Sequence, residues 1–292
     1  MKDALFEELI ASVREGGAIL SGETALSRTF TLRDHDLPEG ASEAVWNEYK
    51  RGQWREVEGG VIAEIAVCIQ VNGQVLARFM ATPIDQEALA LGFLRAEGII
   101  VGLEDVADVR VSPSGGCVDV WLHHDAALPA AADAIRTTGC GGGVTFDDLL
   151  QRPALHFPNL HLTPEQLIAR YYEMRTTETL YPITRGVHAS ALCTPDQVLI
   201  LAEDVGRHNT LDKLWGMAMQ QGIPTKGRVI VTTGRISSEM LGKAAKMGVP
   251  VIASRTSPTS RSVALARAWG MTLVGYIRRG GFRAYAGEER FG

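Results

Sequence analysis

The feature that most constrains the fold is a regular alternation of short apolar runs and helical patterns in the C-terminal third of the chain. The alternating strand and helix segments cover residues 198–202, 209–221, 228–232, 236–247, 249–253, 260–269 and 271–277. Strands that alternate with helices form a largely parallel sheet covered by helices. In such sheets ligands bind in the loops that follow the carboxyl ends of the strands. The predicted fold class is therefore α/β.

The preceding part of the chain has a different pattern, one typical of a smaller α+β unit. Its expected elements, in chain order, are a hairpin over residues 62–80, a helix over 85–97, a second hairpin over 106–123 and an alanine-rich helix near 128–136. The first hairpin turns at Asn72-Gly73, a dipeptide favoured in type I′ turns between strands. Asp85 is expected to cap the helix that follows.

A further helix start is marked by Thr163-Pro164-Glu165-Gln166, and this helix is expected to reach about Met174. The tetrapeptide combines an N-cap, a proline at the first helical position and a capping-box glutamine. We divide the chain into an N-terminal extension of unassigned role (1–58), a smaller α+β part (59–136) and an α/β part that begins with a cysteine loop (137–292).

Composition excludes several classes of protein. The 292 residues carry 29 basic and 34 acidic side chains, a net charge of −5, so no global field attracts nucleic acid or an anionic membrane. Any anion site must be local. The first residues contain acids and no long apolar run, which predicts no signal peptide, no transmembrane span and a cytoplasmic protein.

Four widely spaced cysteines argue against a disulfide framework, and the absence of a Cys-x-x-Cys motif argues against a zinc site. Cys68 and Cys117 lie in strand-like runs and, with Cys193, are expected to be inert packing residues. Cys140 differs, because one glycine precedes it and three follow it. Glycines give an incoming group access to the sulfur, and oriented amides favour the thiolate of a nucleophile. A tight turn or helix C-cap that merely contains a cysteine is the other interpretation.

Polar residues concentrate in the loops after the predicted strands. Glu203-Asp204-Val205-Gly206-Arg207-His208-Asn209 stands between a strand and a helix start. One interpretation is a capped helix with a solvated charged turn. The other is a ligand-contact loop in which Arg207 binds an anion and His208 is a donor or proton carrier.

Two strand-to-helix junctions, 232–239 and 253–260, combine hydroxyl groups with an arginine. One interpretation is that each junction binds a phosphate at the N-terminus of the following helix. The other is that the hydroxyl groups only cap that helix, with Ser237 or Ser238 as the cap in the first junction. The first junction lacks the glycine spacing of a Walker or Rossmann loop. The last loop, 276–283, places two glycines beside three arginines. It permits close approach of a polyanion, or it is an exposed basic turn.

Together these segments resemble the formate dehydrogenase accessory sulfurtransferase family, FdhD. The resemblance extends from about residue 60 to 286, and its ordered motifs are Thr82–Ile100, Thr138-Gly139-Cys140, Gly186-Val187-His188-Ala189, Glu203–Lys213, Gly234–Glu239 and Leu273–Gly281. The Glu-Asp-Val-Gly-Arg-His run is highly specific.

The resemblance implies a sulfurtransferase-type carrier that takes persulfide sulfur from a cysteine desulfurase. It would pass this sulfur to a bis(molybdopterin guanine dinucleotide) cofactor of molybdenum or tungsten, which is needed by a formate dehydrogenase. The implied fold is cytidine deaminase-like, a mixed sheet covered by helices, and the implied assembly is a homodimer. A guanine nucleotide such as GDP is the expected mimic of the cofactor.

By position, the resemblance makes Cys140 the catalytic, persulfide-bearing residue. The implied cofactor-contacting stretch is Tyr276, Ile277, Arg278, Arg279, Gly280 and Gly281. Further contact candidates are Arg207, His208 and Arg235. No resident metal site is expected.

One departure from the family pattern is Gly143, where many members have a second cysteine. We hypothesise that the single thiol suffices, because a nearby second thiol could attack the persulfide and release its sulfur as sulfide. The alternative function is a non-covalent chaperone that binds the cofactor for insertion into formate dehydrogenase. A deaminase-type hydrolase is disfavoured, since the paired-cysteine zinc motif is missing.

Overall fold

The computed structural model describes residues 37–126, 128, 135–136, 144–145 and 157–292. Its strands are β1 (Ala41–Lys50), β2 (Gln53–Ile62), β3 (Ile65–Val71), β4 (Gln74–Ala81), β5 (Val106–Val111), β6 (Cys117–Leu122), β7 (Ile135–Arg136), β8 (Val144–Thr145), β9 (His188–Cys193), β10 (Val198–Asp204), β11 (Val229–Thr232), β12 (Val251–Ser254), β13 (Thr272–Arg278) and β14 (Gly281–Ala286). Its α-helices are α1 (Gln86–Ala96), α2 (Pro164–Thr177), α3 (Tyr181–Thr184), α4 (Arg207–Gln220), α5 (Ser238–Lys246) and α6 (Ser260–Trp269).

The largest sheet has six strands in the order β10-β9-β11-β12-β13-β14. The pairs β11–β12 and β12–β13 are parallel, whereas β9 is antiparallel to both of its neighbours and β14 is antiparallel to β13. Consequently β10, β11, β12 and β13 all end at one edge of the sheet, which we call the carboxyl edge. The predicted α/β class is confirmed, but the sheet is mixed because β9 and β14, which the alternation did not predict, run in the opposite direction.

Helices cover both faces of this sheet, as the sequence predicted. On one face α4, α5 and α6 bury an apolar cluster with the strands, and Trp215, Met240 and Trp269 are among its members. On the other face α2 packs Leu167 and Tyr171 against the sheet. Burial of this kind contributes roughly 1.5–3 kcal/mol for each large apolar side chain.

The expected start of α2 is confirmed in detail. Thr163 is the N-cap and its side chain accepts a hydrogen bond from the backbone N–H of Gln166, while the Gln166 side chain accepts from the backbone of Thr163, which completes the capping box. The helix continues to Thr177, about one turn beyond the expected end.

A second, four-stranded sheet has the order β4-β3-β6-β5 and is covered by α1. Both predicted hairpins are present, and the first turns at Asn72 and Gly73 with φ values of 48° and 80°, as a type I′ turn requires. Asp85 occupies the N-cap position of α1, but the expected side-chain cap is wrong. Its φ of 51° places the residue in the left-handed region, and its side chain makes no capping hydrogen bond.

Helices α1 and α4 join the two sheets through a contact that only glycine permits. A Cβ at Gly92 would overlap the carbonyl oxygen of Asp212, and a Cβ at Gly216 would overlap the carbonyl oxygen of Ala88. The two helix backbones therefore touch directly. This contact fixes the start of α4 relative to the smaller sheet.

The remaining pairs of strands are short or isolated. Strands β1 and β2 form an antiparallel two-stranded ribbon that no sequence pattern predicted. The alanine-rich helix predicted near 128–136 is wrong at its end, because Ile135–Arg136 is a strand paired with Val144–Thr145. The rest of that prediction, and the loop around Cys140, lie outside the described residues. In the described ranges no helix is long and apolar enough to cross a membrane.

Candidate functional site

The carboxyl edge brings together the loops that follow β10, β11, β12 and β13. Hydrogen bonds connect adjacent loops: Ser254 Oγ donates to the carbonyl oxygen of Gly234 at 2.6 Å, and the backbone N–H of Tyr276 donates to the carbonyl oxygen of Thr256 at 3.2 Å. The loops carry five arginines, which we call the arginine edge: Arg207, Arg235, Arg255, Arg278 and Arg279. All but Arg207 are exposed. Because composition allows an anion site only where cations are locally concentrated, the arginine edge is the candidate for such a site.

The turn between β13 and β14 has an unusual backbone. Tyr276 has a φ of 57°, the left-handed region, which is rare for an aromatic residue and is associated with functional sites. The pairing of β13 with β14 shifts register between Gly275 and Arg278, so the strand bulges at this point. Arg278 then pairs with Gly281, which leaves Arg279 and Gly280 at the tip.

The predicted cofactor-contacting residues are not equivalent in this turn. A Cβ placed at Gly280 or Gly281 would meet no atom within 4 Å, so both backbones are open to a ligand. Arg278 is exposed and donates through Nη1 to the carbonyl oxygen of Arg255 at 2.9 Å, and Arg279 is exposed with its guanidinium 5.7 Å from the ring centre of Tyr172.

Ile277 and Tyr276 offer less side chain to a ligand. The side chain of Ile277 is fully buried in the core beneath α2, which leaves only its backbone for contact. The ring of Tyr276 is half-buried and lies 4.5 Å from the guanidinium of Arg283. The accessible cations of the predicted cofactor-contacting stretch are thus Arg278 and Arg279, and the exposed Arg283 lies beside them on β14.

Arg207 and His188 meet at Gly234, below the exposed arginines. A Cβ at Gly234 would lie 2.8 Å from Cβ of Arg207 and 3.4 Å from Nδ1 of His188, so this glycine makes room for both side chains. Nδ1 of His188 is 3.4 Å from Oγ1 of Thr233. Burial and the nearby Arg207 lower the pKa of His188, which favours the neutral imidazole. The sequence motif around His188 was recognised, but its position beside Arg207 was not predicted.

His208 is buried between α4 and α5 and does not reach the surface of the edge. Its Nε2 lies 3.2 Å from Oγ of Ser237 and 3.1 Å from Oε2 of Glu239. Burial lowers the pKa of His208 to about 2, and the positive charges of Lys243 and Arg207 act in the same direction. The imidazole is therefore neutral at physiological pH, and its contact with Ser237 favours a role in fixing the loop before α5.

The acidic residues of the 203–209 run tie separate segments together. Glu203 accepts hydrogen bonds from the backbone N–H groups of Thr179, Leu180 and Tyr181, at 2.8, 3.1 and 3.2 Å. Asp204 forms a fully buried ion pair with Lys213 at 2.7 Å. The interpretation of this run as a solvated charged turn is therefore wrong, since its polar side chains are buried.

The other two junctions contain the plain caps that the sequence allowed. Ser237 is the N-cap of α5 and accepts from the backbone N–H of Met240, and Thr259 is the N-cap of α6 in a capping box with Ser262. Each junction therefore uses a hydroxyl group as a helix cap, and Arg235 and Arg255 are the exposed arginines beside these caps.

The described cysteines fit the expectation of inert packing. Cys68 and Cys193 are buried, and burial raises the pKa of their thiols to about 11 and about 12. Cys117 is half-buried beside Cys68. Among the residues that the structure describes, no group of histidine, cysteine and carboxylate side chains could hold a metal ion.

Known proteins share most of this chain. The model of the FdhD/NarQ family matches residues 62–292. The "Sulfur carrier protein FdhD" of Bacillus subtilis (strain 168) is 33% identical over 250 residues, which cover 84% of this chain and 95% of the relative. The protein of the same name from Staphylococcus haemolyticus (strain JCSC1435) is 33% identical over 248 residues, or 83% of this chain and 93% of the relative.

A solved structure is also similar. It is described as a putative formate dehydrogenase accessory protein from Desulfotalea psychrophila, with a TM-score of 0.74 and 28% identity, and the match covers 86% of this chain and 99% of that one. The family resemblance that the motifs indicated is thereby confirmed. This chain belongs to the FdhD/NarQ family.

Proposed function

We propose that this protein is a cytoplasmic sulfur carrier in the maturation of formate dehydrogenase, with Cys140 as the persulfide-bearing residue. The Cys140 thiolate attacks the outer sulfur of a cysteine desulfurase persulfide. An S–S bond to Cys140 forms, the S–S bond on the desulfurase breaks, and the desulfurase cysteine leaves as a thiolate. In the second transfer the S–S bond on Cys140 would break, Cys140 would leave as a thiolate, and the sulfur would pass to the metal of a bis(molybdopterin guanine dinucleotide) cofactor of molybdenum or tungsten, the bound substrate. The metal would supply the two electrons that reduce this sulfur to sulfide.

The observation that carries the proposal is the arginine edge. A net charge of −5 does not attract a polyanion to the protein as a whole, yet the loops after β11, β12 and β13 expose Arg235, Arg255, Arg278 and Arg279 together. Guanidinium groups bind phosphate oxygens in a bidentate manner, which suits the pyrophosphates of a dinucleotide cofactor.

The backbone of the β13–β14 turn supports the same ligand. The open surroundings of Gly280 and Gly281 leave room for a phosphate or a guanine to approach the main chain. Arg278 is already oriented by its hydrogen bonds to the carbonyl oxygens of Arg255 and Ile277, at 2.9 and 2.8 Å. A guanidinium held in this way loses less conformational freedom when it binds an anion.

The names of the relatives support the biological setting. Proteins called sulfur carriers share a third of their residues with this chain, and the similar solved structure is described as a formate dehydrogenase accessory protein. We accordingly expect a cysteine desulfurase as the donor, formate dehydrogenase as the recipient and a homodimer as the assembly.

The test is restoration of formate dehydrogenase activity in a bacterial strain that lacks its own carrier. The wild-type chain is expected to restore activity, and Cys140→Ser is expected to abolish it. Cys117→Ser is the matched control, because it removes a half-buried thiol on β6, outside the glycine-rich sequence around Cys140, and is expected to retain activity.

Two outcomes of this test separate the carrier from a non-covalent chaperone. A chaperone needs the arginine edge but no thiol, so full activity of Cys140→Ser would contradict sulfur carriage. Loss of activity in Cys140→Ser with unchanged binding of GDP would support it. The double variant Arg278→Ala/Arg279→Ala is expected to lose activity and to bind GDP more weakly.

A further inference from the structure

The β1–β2 ribbon, residues 41–62, forms an arm that the function proposed above does not use. Neither of its edges pairs with a third strand in the described part of the chain. It ends at Ile62, the first residue that the family model matches. A two-stranded ribbon is marginally stable by itself. Because little buried surface stabilises such a ribbon, the large aromatic rings that it exposes are unusual.

One face of the arm is both aromatic and acidic. In the antiparallel register Tyr49 lies opposite Trp54, Asn47 opposite Glu56 and Val45 opposite Glu58, so these six side chains share a face. We call them the arm face. Trp54 is 71% exposed, Tyr49 is 60% exposed and Val45 is 57% exposed. The rings of Tyr49 and Trp54 touch at a centroid distance of 5.2 Å.

The opposite face of the arm has more internal contacts, and its Trp46 is 39% exposed against 71% for Trp54 of the arm face. The ring of Trp46 covers Gly59, where a Cβ would lie 2.6 Å from the ring. Nε of Arg55 donates to Oε2 of Glu48 at 2.6 Å. The arm face is thus the side that lacks a cover, and exposed apolar surface beside charged groups is typical of interaction sites.

The arm arises at the carboxyl edge. A Cβ at Gly186 would lie 2.9 Å from Cγ2 of Ile62, the last residue of the arm, and Gly186 stands two residues before β9 begins at that edge. The first residue of the arm, Ala41, is adjacent to Gly40, where a Cβ would lie 2.9 Å from Cγ2 of Thr82. Thr82 in turn donates its backbone N–H to Asp204, at the end of β10. The arm is therefore anchored beside the carboxyl edge, at the start of β9 and the end of β10.

We propose that the arm face docks a basic, partly apolar patch on the formate dehydrogenase apoenzyme that receives the cofactor. This inference rests on the proposed function. A protein that accepts an anionic dinucleotide cofactor presents cations around its entrance, and Glu56 and Glu58 complement them. Lysine and arginine side chains bind the faces of Trp54 and Tyr49 through cation–π contacts. Tryptophan and tyrosine are also the residues that most often dominate binding at protein interfaces.

The test measures binding of the full-length chain to immobilised formate dehydrogenase apoenzyme, purified from cells without a carrier. Tyr49→Ala/Trp54→Ala is expected to weaken binding by about tenfold or more. Glu56→Gln/Glu58→Gln is expected to weaken binding at low salt and to flatten its salt dependence. The matched control is Trp121→Ala, which removes another exposed tryptophan, 48% exposed and located on β6, and is expected to bind like the wild type.

Three results would overturn the docking proposal. These are an apoenzyme that does not bind the wild type, an aromatic double variant that binds as tightly as the wild type, and equal losses in the Trp121→Ala control. Sulfur loading of Cys140 by a desulfurase is measured in the same samples and is expected to be unchanged by the arm variants. Failure of the wild type to load contradicts the proposed function, whereas loading without arm-dependent docking contradicts only this inference.

Discussion

Substitution of Gly92 by alanine tests the packing on which the position of α4 depends. The new Cβ would overlap the carbonyl oxygen of Asp212 and lie 2.6 Å from its carbonyl carbon and 2.9 Å from the backbone nitrogen of Gly216. Carbon atoms in ordinary contact are about 3.5–4.0 Å apart, so relief of the carbon–carbon contact alone needs a separation of roughly 1 Å, and the closer carbonyl oxygen requires more. All of these neighbours are backbone atoms, which cannot rotate away as a side chain can.

The expected cost follows from two opposing effects. Alanine is favoured over glycine in a helix interior by about 1 kcal/mol. Overpacking costs about 1–3 kcal/mol and occasionally more, and a rigid backbone contact lies at the upper end. Setting the gain of about 1 kcal/mol against an overpacking cost of about 3 kcal/mol, we expect Gly92→Ala to lower the free energy of unfolding by about 2 kcal/mol, a substantial part of the roughly 5–15 kcal/mol typical of a domain.

The assay is urea unfolding followed by circular dichroism, with Gly280→Ala as the matched control. A Cβ at Gly280 meets no atom within 4 Å, so this control is expected to change stability by less than about 0.5 kcal/mol. Because α4 begins with Arg207, a shifted helix is also expected to weaken GDP binding. A Gly92→Ala variant as stable as the wild type would refute the reasoning, as would an equal loss in Gly280→Ala.

Three further predictions concern the carboxyl edge. Arg278→Ala/Arg279→Ala is expected to weaken GDP binding about tenfold or more, as measured by calorimetry, and to make the binding constant less dependent on salt. The control Arg110→Ala removes an exposed arginine on β5 and is expected to leave the affinity and its salt dependence unchanged. Glu203→Gln is expected to lower the free energy of unfolding by about 2–4 kcal/mol, because the charged acceptor of three backbone N–H groups is lost. The measurement is urea unfolding, and an unchanged midpoint concentration of urea would contradict this expectation. Because burial lowers the pKa of folded His208 to about 2, the unfolded chain binds a proton below pH 6.5 that the folded chain does not. Stability should therefore fall on acidification by up to about 1.4 kcal/mol per pH unit at this site, and His208→Gln should flatten that slope in unfolding curves between pH 6.5 and 4.5.

Local sequence signals predicted the elements that are determined by residues close together in the chain. The capping box at Thr163 and the turn at Asn72-Gly73 depend on residues within four positions of each other, and both are confirmed. Strand β9 was missed because His188–Cys193 consists largely of small residues and lacks the β-branched pattern of its neighbours. The arm was missed because its strands alternate poorly and bury almost nothing.

The sequence predicted which loops form the candidate site, but it did not predict which side chains of these loops contact one another. Strand order alone explains why loops after four strands meet at one edge, and the alternation of the sequence anticipated that. The burial of His208 and the use of Glu203 to hold α3 depend on residues far apart in the chain, such as Glu239 and Leu180. The contact of Arg207 with Gly234 also joins residues that are far apart in the chain. No local pattern encodes such pairings.

The most direct test of the central claim is mass spectrometry of the Cys140 peptide after incubation with a cysteine desulfurase and cysteine. We expect the peptide to gain one sulfur atom, a thiol reductant to remove it, and Cys140→Ala to gain none. We also expect loading with glycine at position 143, without a second cysteine in the loop. An unmodified Cys140 peptide, or equal sulfur loading of the protein in Cys140→Ala, would contradict sulfur carriage by this residue.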